Sequence, residues 1–94
     1  MMKRPLCVAF LWHMHQPEYG NVQTGEIYLP WTRLHAIKDY YDMAVMVDQT
    51  PGMRMTINVV PSLLDQLVTY GEGTARETYA ALTLKNAADL DESE

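Results

Sequence analysis

This sequence is short of cysteine, of basic charge and of long apolar runs, and each shortage removes a class of protein. Cys7 is the only cysteine, so no internal disulfide can form. Set among apolar neighbours, it is expected to be a buried, inert thiol. Seven basic residues face twelve acidic ones, a net charge of −5. Arg33, Lys38, Arg54, Arg76 and Lys85 are scattered, which excludes the basic stripe that a nucleic-acid partner requires. No apolar stretch is long enough to cross a membrane. Lys3 and Arg4 precede an apolar segment as in a signal peptide, but that segment is only about eight residues long and no small-residue cleavage site follows it. It is read as a core strand, and the protein as cytoplasmic, with no membrane partner. A Gly-rich phosphate loop, a nucleophile elbow and Cys/His zinc spacing are also missing.

What is present is a pattern of alternating strands and helices. Leu6 to Trp12 is apolar on both faces, as in a parallel strand covered on each side. Residues 16–33 contain Pro17, Gly20, Gly25 and Pro30 with little periodicity, and read as a long, functional loop. From Leu34 the period becomes helical through Ile37, Tyr41, Ala44 and Val45, with Thr32 as N-cap and Thr50-Pro51-Gly52 as the stop. Met53 to Val60 alternates, with Met55, Ile57 and Val59 on one face and Thr56 and Asn58 on the other. Pro61 and Ser62 open a helix with Ser62 and Asp65 as a capping box, and Gly71 and Gly73 close it. A last helix is expected from Thr74, capped by Thr74 and Glu77, to about Leu90. The acidic end, Asp89 to Glu94, reads as a solvated tail. This order makes an α/β fold with a parallel sheet. Two such strands would leave much apolar surface uncovered, so the unit is expected to belong to something larger.

The chemistry concentrates in Phe10-Leu-Trp-His-Met-His-Gln-Pro17. His13 and His15, two residues apart, share a strand face, and the carboxyl ends of parallel strands are where ligands bind. From spacing alone they are metal ligands, hydrogen-bonding groups for a polar substrate such as a sugar, or polar residues where a strand meets solvent. Gln16 supplies amide donors and an acceptor suited to a hydroxyl-rich ligand, and Pro17 turns the chain away. Asn58, near the end of the second strand, would meet His13 or His15 at one rim if the strands are neighbours; it equally suits the turn into Pro61. Tyr19, Asn21, Gln23, Tyr28 and Trp31 offer the loop's aromatic and amide groups, suited to sugar stacking or to ordinary packing. Tyr40 and Tyr41 are assigned to packing.

Three blocks together resemble the start of glycoside hydrolase family 57: His13-Met-His-Gln-Pro17, Leu29-Pro-Trp-Thr-Arg-Leu-His-Ala-Ile-Lys-Asp-Tyr-Tyr-Asp-Met43 and Asn58-Val-Val-Pro-Ser-Leu-Leu-Asp-Gln-Leu67. The resemblance extends to Leu82-Thr-Leu-Lys85 and covers essentially the whole chain. That family includes α-amylases, amylopullulanases, 4-α-glucanotransferases and glycogen branching enzymes. The resemblance implies an incomplete (β/α)7 TIM-like barrel, with residues 1–94 as the N-terminal part of that domain and its first two β/α units. It also implies retaining cleavage of α-glucosidic bonds by two carboxylates about 5–5.5 Å apart.

Those carboxylates are expected on later strands, so no catalytic residue is assigned in this chain, which alone should be inactive. His13, His15, Gln16, Trp31 and Asn58 are the expected substrate-binding residues, with no metal and no cofactor. The expected partners are an α-glucan or maltooligosaccharide and the remainder of the barrel. Two other functions stay open: a metal-dependent hydrolase or deacetylase barrel using His13 and His15 as ligands, and a non-catalytic sugar-binding module.

Overall fold

The computed structural model describes residues 3–94 and is a mixed α/β arrangement of two small sheets and short helices. Strand β1 (Leu11–Met14) pairs in parallel with β4 (Thr56–Val59), matching Leu11 with Thr56 and His13 with Asn58. The expected second strand is therefore present, over fewer residues than Met53 to Val60, and its burial does not alternate: Thr56, Ile57 and Asn58 are all exposed and Val59 is half-buried. The first strand lies further along the chain than Leu6 to Trp12. Its pairing is as long as its partner, and the chain N-terminal to Thr56 is irregular back to the end of the preceding helix. Residues 3–10 consequently form no strand and are exposed, Leu6 at 89%. Cys7 is exposed with them, which corrects the expectation of a buried thiol.

The segment expected to be an unstructured loop contains a second sheet. Strands β2 (Gly20–Asn21) and β3 (Glu26–Ile27) form an antiparallel hairpin, and β3 also pairs in parallel with β5 (Arg76–Glu77). Gly20 is required by close approach: a Cβ there would stand 2.2 Å from the Glu26 carbonyl oxygen.

Helix α1 (Trp31–His35) begins directly after Pro30, earlier than expected, with no side-chain cap. Thr32 does not cap it. Its side chain is buried, and its hydroxyl donates to Gln66 Oε1 at 3.2 Å. A π-helical turn (Ala36–Tyr40) follows and leads into α2 (Tyr41–Asp48). Such a turn widens the helix by one residue, so a helical hydrophobic pattern cannot reveal it. The helix stops where expected: Thr50 Oγ1 donates to the Met46 carbonyl, and Gly52 takes φ +76°.

Helix α3 (Pro61–Gly71) has the expected limits, but proline at its first position and Val60 at its N-cap replace the Ser62 capping box. Helix α4 (Thr78–Leu84) is shorter than expected. The Arg76–Glu77 segment is drawn into β5, so the helix starts after it, and Glu77 rather than Thr74 caps it by accepting from the Ala80 N–H at 3.1 Å. A 3₁₀ turn (Ala87–Asp89) follows. No helix is long and apolar enough to cross a membrane among the described residues.

Among the described residues only Ile27 and Leu63 are buried apolar side chains. The radius of gyration is 19.1 Å, against about 12 Å for a compact domain of this length. Polar pairing therefore carries more of the organisation than apolar packing does. Glu77, 3% exposed, accepts from Arg33 Nε at 2.6 Å and Nη2 at 3.0 Å and from the Tyr70 hydroxyl at 2.9 Å. This cluster ties β5 to α1 and α3.

The Arg33 hydrogen bonds hold the Glu77 carboxyl below its ordinary value of 4.5 against the opposing effect of burial. A carboxyl depressed in the folded state contributes stability that is full above its unfolded value and drains away as pH falls through the folded one. Replacing Arg33 by Met leaves the carboxylate buried with only its hydroxyl and amide donors. With a discount for the partial exposure of Arg33, the expected cost is about 2–3 kcal/mol in urea unfolding at neutral pH. Glu77→Gln should flatten the acid limb of the stability profile below about pH 5.

Candidate functional site

The carboxyl ends of β1 and β4 lie side by side because the strands are parallel and in register. His13 and Asn58, directly opposite, join side chains: His13 Nδ1 lies 2.7 Å from Asn58 Oδ1. An amide oxygen has no proton to give, so Nδ1 must be the donor. In the neutral ring this leaves a lone pair on Nε2, while Asn58 Nδ2 keeps its amide donors. Both residues are exposed. The pair thus offers an acceptor on one residue and donors on the other, both of use to a hydroxyl-rich ligand.

His15 follows immediately after β1, and its ring lies 6.2 Å from that of His13, centroid to centroid, at a 36° tilt. The spacing of two residues does put both imidazoles together. Among the described residues, however, no group of three or more His, Cys, Asp or Glu gathers into a set that could hold a metal ion.

The backbone that carries these groups is held along its length by the β4–α3 segment. The Thr56 N–H donates to the Phe10 carbonyl at 3.1 Å, and the Val60 N–H to the Met14 carbonyl at 3.2 Å. Ser62 Oγ then donates to the Gln16 carbonyl at 2.7 Å, and Gln66 Nε2 to the Pro17 carbonyl at 2.9 Å. Side chains of α3 continue the sheet ladder after the sheet itself has ended. This is why Ser62 is not a cap: its hydroxyl is committed elsewhere.

Gln16 is half-buried and held at both ends of its amide. The Tyr19 hydroxyl donates to Oε1 at 2.5 Å, and Nε2 donates to the Tyr40 hydroxyl at 3.0 Å. Burial first, and Tyr40 second, push Tyr19 above its ordinary value of 10.0, so it remains a donor through neutral pH. Tyr40, assigned from sequence to packing, thus contacts a site residue.

Trp31 stands at the start of α1, 47% exposed. No ring contact or side-chain hydrogen bond joins it to His13, His15, Gln16 or Asn58. Sequence reasoning assigned Ser62 to a cap and Tyr40 to packing, and gave Gln66 no role of its own. Gln66 had a legible signal, a polar residue at the Leu63–Leu67 face of α3, where a buried amide must find partners.

The family model described as Glycosyl hydrolase family 57 matches residues 9–87. The match begins just before β1 and ends after α4, so it contains every group described above. No curated protein and no solved structure matches the chain.

The His13–Asn58 contact fixes a tautomer that nitrogen NMR reads directly. In the neutral ring, His13 should show a protonated Nδ1 and an unprotonated Nε2. Asn58→Leu removes the acceptor and should move the population toward the Nε2–H form, while His15 keeps its own signals. An Nε2–H form already dominant in the unsubstituted chain would contradict the geometry.

Proposed function

The chain belongs to glycosyl hydrolase family 57, and from that premise we propose that it supplies part of the sugar-binding wall of an enzyme that cleaves or transfers α-glucosidic bonds with retention. The α-glucan preference rests on the resemblance of its three blocks to α-amylases, glucanotransferases and branching enzymes. The observation that carries the reading is the His13–Asn58 pair at 2.7 Å, which holds an imidazole acceptor and amide donors on an exposed rim. Sugar hydroxyls both donate and accept, and so can use either. His15 and the remaining polar capacity of Gln16 extend that rim. Trp31 offers an indole face on which a sugar ring could stack, and stands as the most separate member of the set.

The retaining reaction needs two carboxylates about 5–5.5 Å apart. Glu77 is committed to Arg33 and Tyr70, and Glu18 accepts from the Gly20 N–H. We assign the catalytic pair to other parts of a barrel whose first two β/α units this chain forms. The exposed Leu6, Val8, Phe10 and Leu11 are then the surface that those parts cover.

Calorimetric titration of the chain with maltohexaose tests the reading. Saturable binding is expected, weakened at least about tenfold by His15→Ala or Asn58→Ala, as when a hydrogen bond into a polar site is lost. No turnover of amylose should accompany it. Binding that survives both substitutions unchanged, or hydrolysis by the chain itself, would overturn the assignment.

A further inference from the structure

The Gln16 amide bridges two tyrosine hydroxyls, and this has a chemical result at Tyr40. Oε1 has no proton, so Tyr19 must donate to it. Nε2 has no lone pair to offer, so Tyr40 must accept from it. The Tyr40 oxygen is thereby occupied as an acceptor while its own O–H proton remains available. Gln16 likewise keeps a second Nε2–H. Two donors therefore stand 3.0 Å apart, Gln16 Nε2 and Tyr40 Oη, with the Tyr19 hydroxyl at the far end of the amide.

Tyr40 reaches this position from the last residue of the π-helical turn Ala36–Tyr40. A π turn adds a residue to the α-helical path and so changes the direction in which that residue faces. Its ring also neighbours His35, the last residue of α1, 6.1 Å away between centroids, and His35 Nδ1 is paired with Asp39 Oδ2 in the turn. A side-chain bond thus spans the irregular turn and ends one residue before the tyrosine that meets Gln16.

We propose that Tyr40 is a further sugar-binding and positioning residue, which together with Tyr19 brackets the amide of Gln16 and adds its own O–H donor beside it. The pair would receive one acceptor oxygen of the sugar, a hydroxyl or the ring oxygen, while the His13–Asn58 pair takes hydroxyls that donate or accept. The proposal rests on the sugar-binding reading given above, and deepens it by naming a residue and a bonding direction.

A double-mutant cycle in the full chain separates the two. Maltohexaose affinity is measured for Tyr40→Phe, Gln16→Met, the double variant and His15→Ala. Tyr40→Phe is expected to weaken binding roughly 3- to 10-fold, the scale of one lost hydrogen bond. It should do markedly less in the Gln16→Met background, because the amide it brackets is gone. The Gln16 side-chain amide protons provide a readout independent of sugar: Tyr40→Phe should move one Nε2–H signal upfield and speed its exchange. A tyrosine that only packs would leave both the coupling and that signal unchanged. If His15→Ala weakens binding but Tyr40→Phe does not, or acts equally in both backgrounds, the proposal fails and the sugar-binding reading stands. If His15→Ala is also without effect, both fail.

Discussion

Gln66 is the side chain on which the arrangement turns. It is 2% exposed, and a buried amide left without partners costs more than most single contacts return. Its Nε2 donates to the Pro17 and Ser62 carbonyls, and its Oε1 accepts from Thr32. Those bonds reach into α3, the start of α1 and the segment that carries the histidines. Satisfying one amide therefore places three elements relative to one another. Ser62 does the same on a smaller scale, with its hydroxyl on the Gln16 carbonyl. The Phe10–Pro17 backbone owes its path to donors from 56–66, first from a sheet and then from a helix.

Local rules were enough for much of this. The alternation of Thr56, Ile57, Asn58 and Val59 gave a strand, and the proline and glycine around α3 gave its limits. Parallel pairing of strands that alternate with a helix then brought Asn58 opposite His13. Long-range pairing decided the rest. Leu6 to Trp12 is apolar throughout, and nothing within such a run marks where pairing begins; β4 does that. Thr74 and Glu77 have the spacing of a capping box, yet Glu77 caps from a strand because its neighbour Ile27 and its partner Arg33 lie far away in sequence. The π turn at Ala36–Tyr40 leaves the hydrophobic period nearly unchanged while redirecting one tyrosine, so Tyr40 was legible only as a packing residue.

The polar and apolar parts of the chain are unequally complete. Among the described residues, every buried side-chain nitrogen and oxygen has a hydrogen-bond partner, while Ile37, Tyr41 and Met46 remain exposed along with the segment before β1. Membership of a glycosyl hydrolase family is the ground on which we propose that the His13–Asn58 rim takes a sugar. The finished hydrogen bonding behind that rim holds its backbone in place in advance, and on that proposal lowers the ordering cost of binding.

One property of the β1–β4 pair reaches beyond ligand binding. It is a sheet of two strands, so each strand has a flank of backbone donors and acceptors that its partner does not occupy. Next to it runs Leu6-Cys-Val-Ala-Phe10, apolar, exposed and free of charge. Such a flank is a template for strand addition, and such a segment is what adds to it. The unpaired flanks of the sheet that presents the histidines are therefore where main-chain bonding to a further strand has room to form.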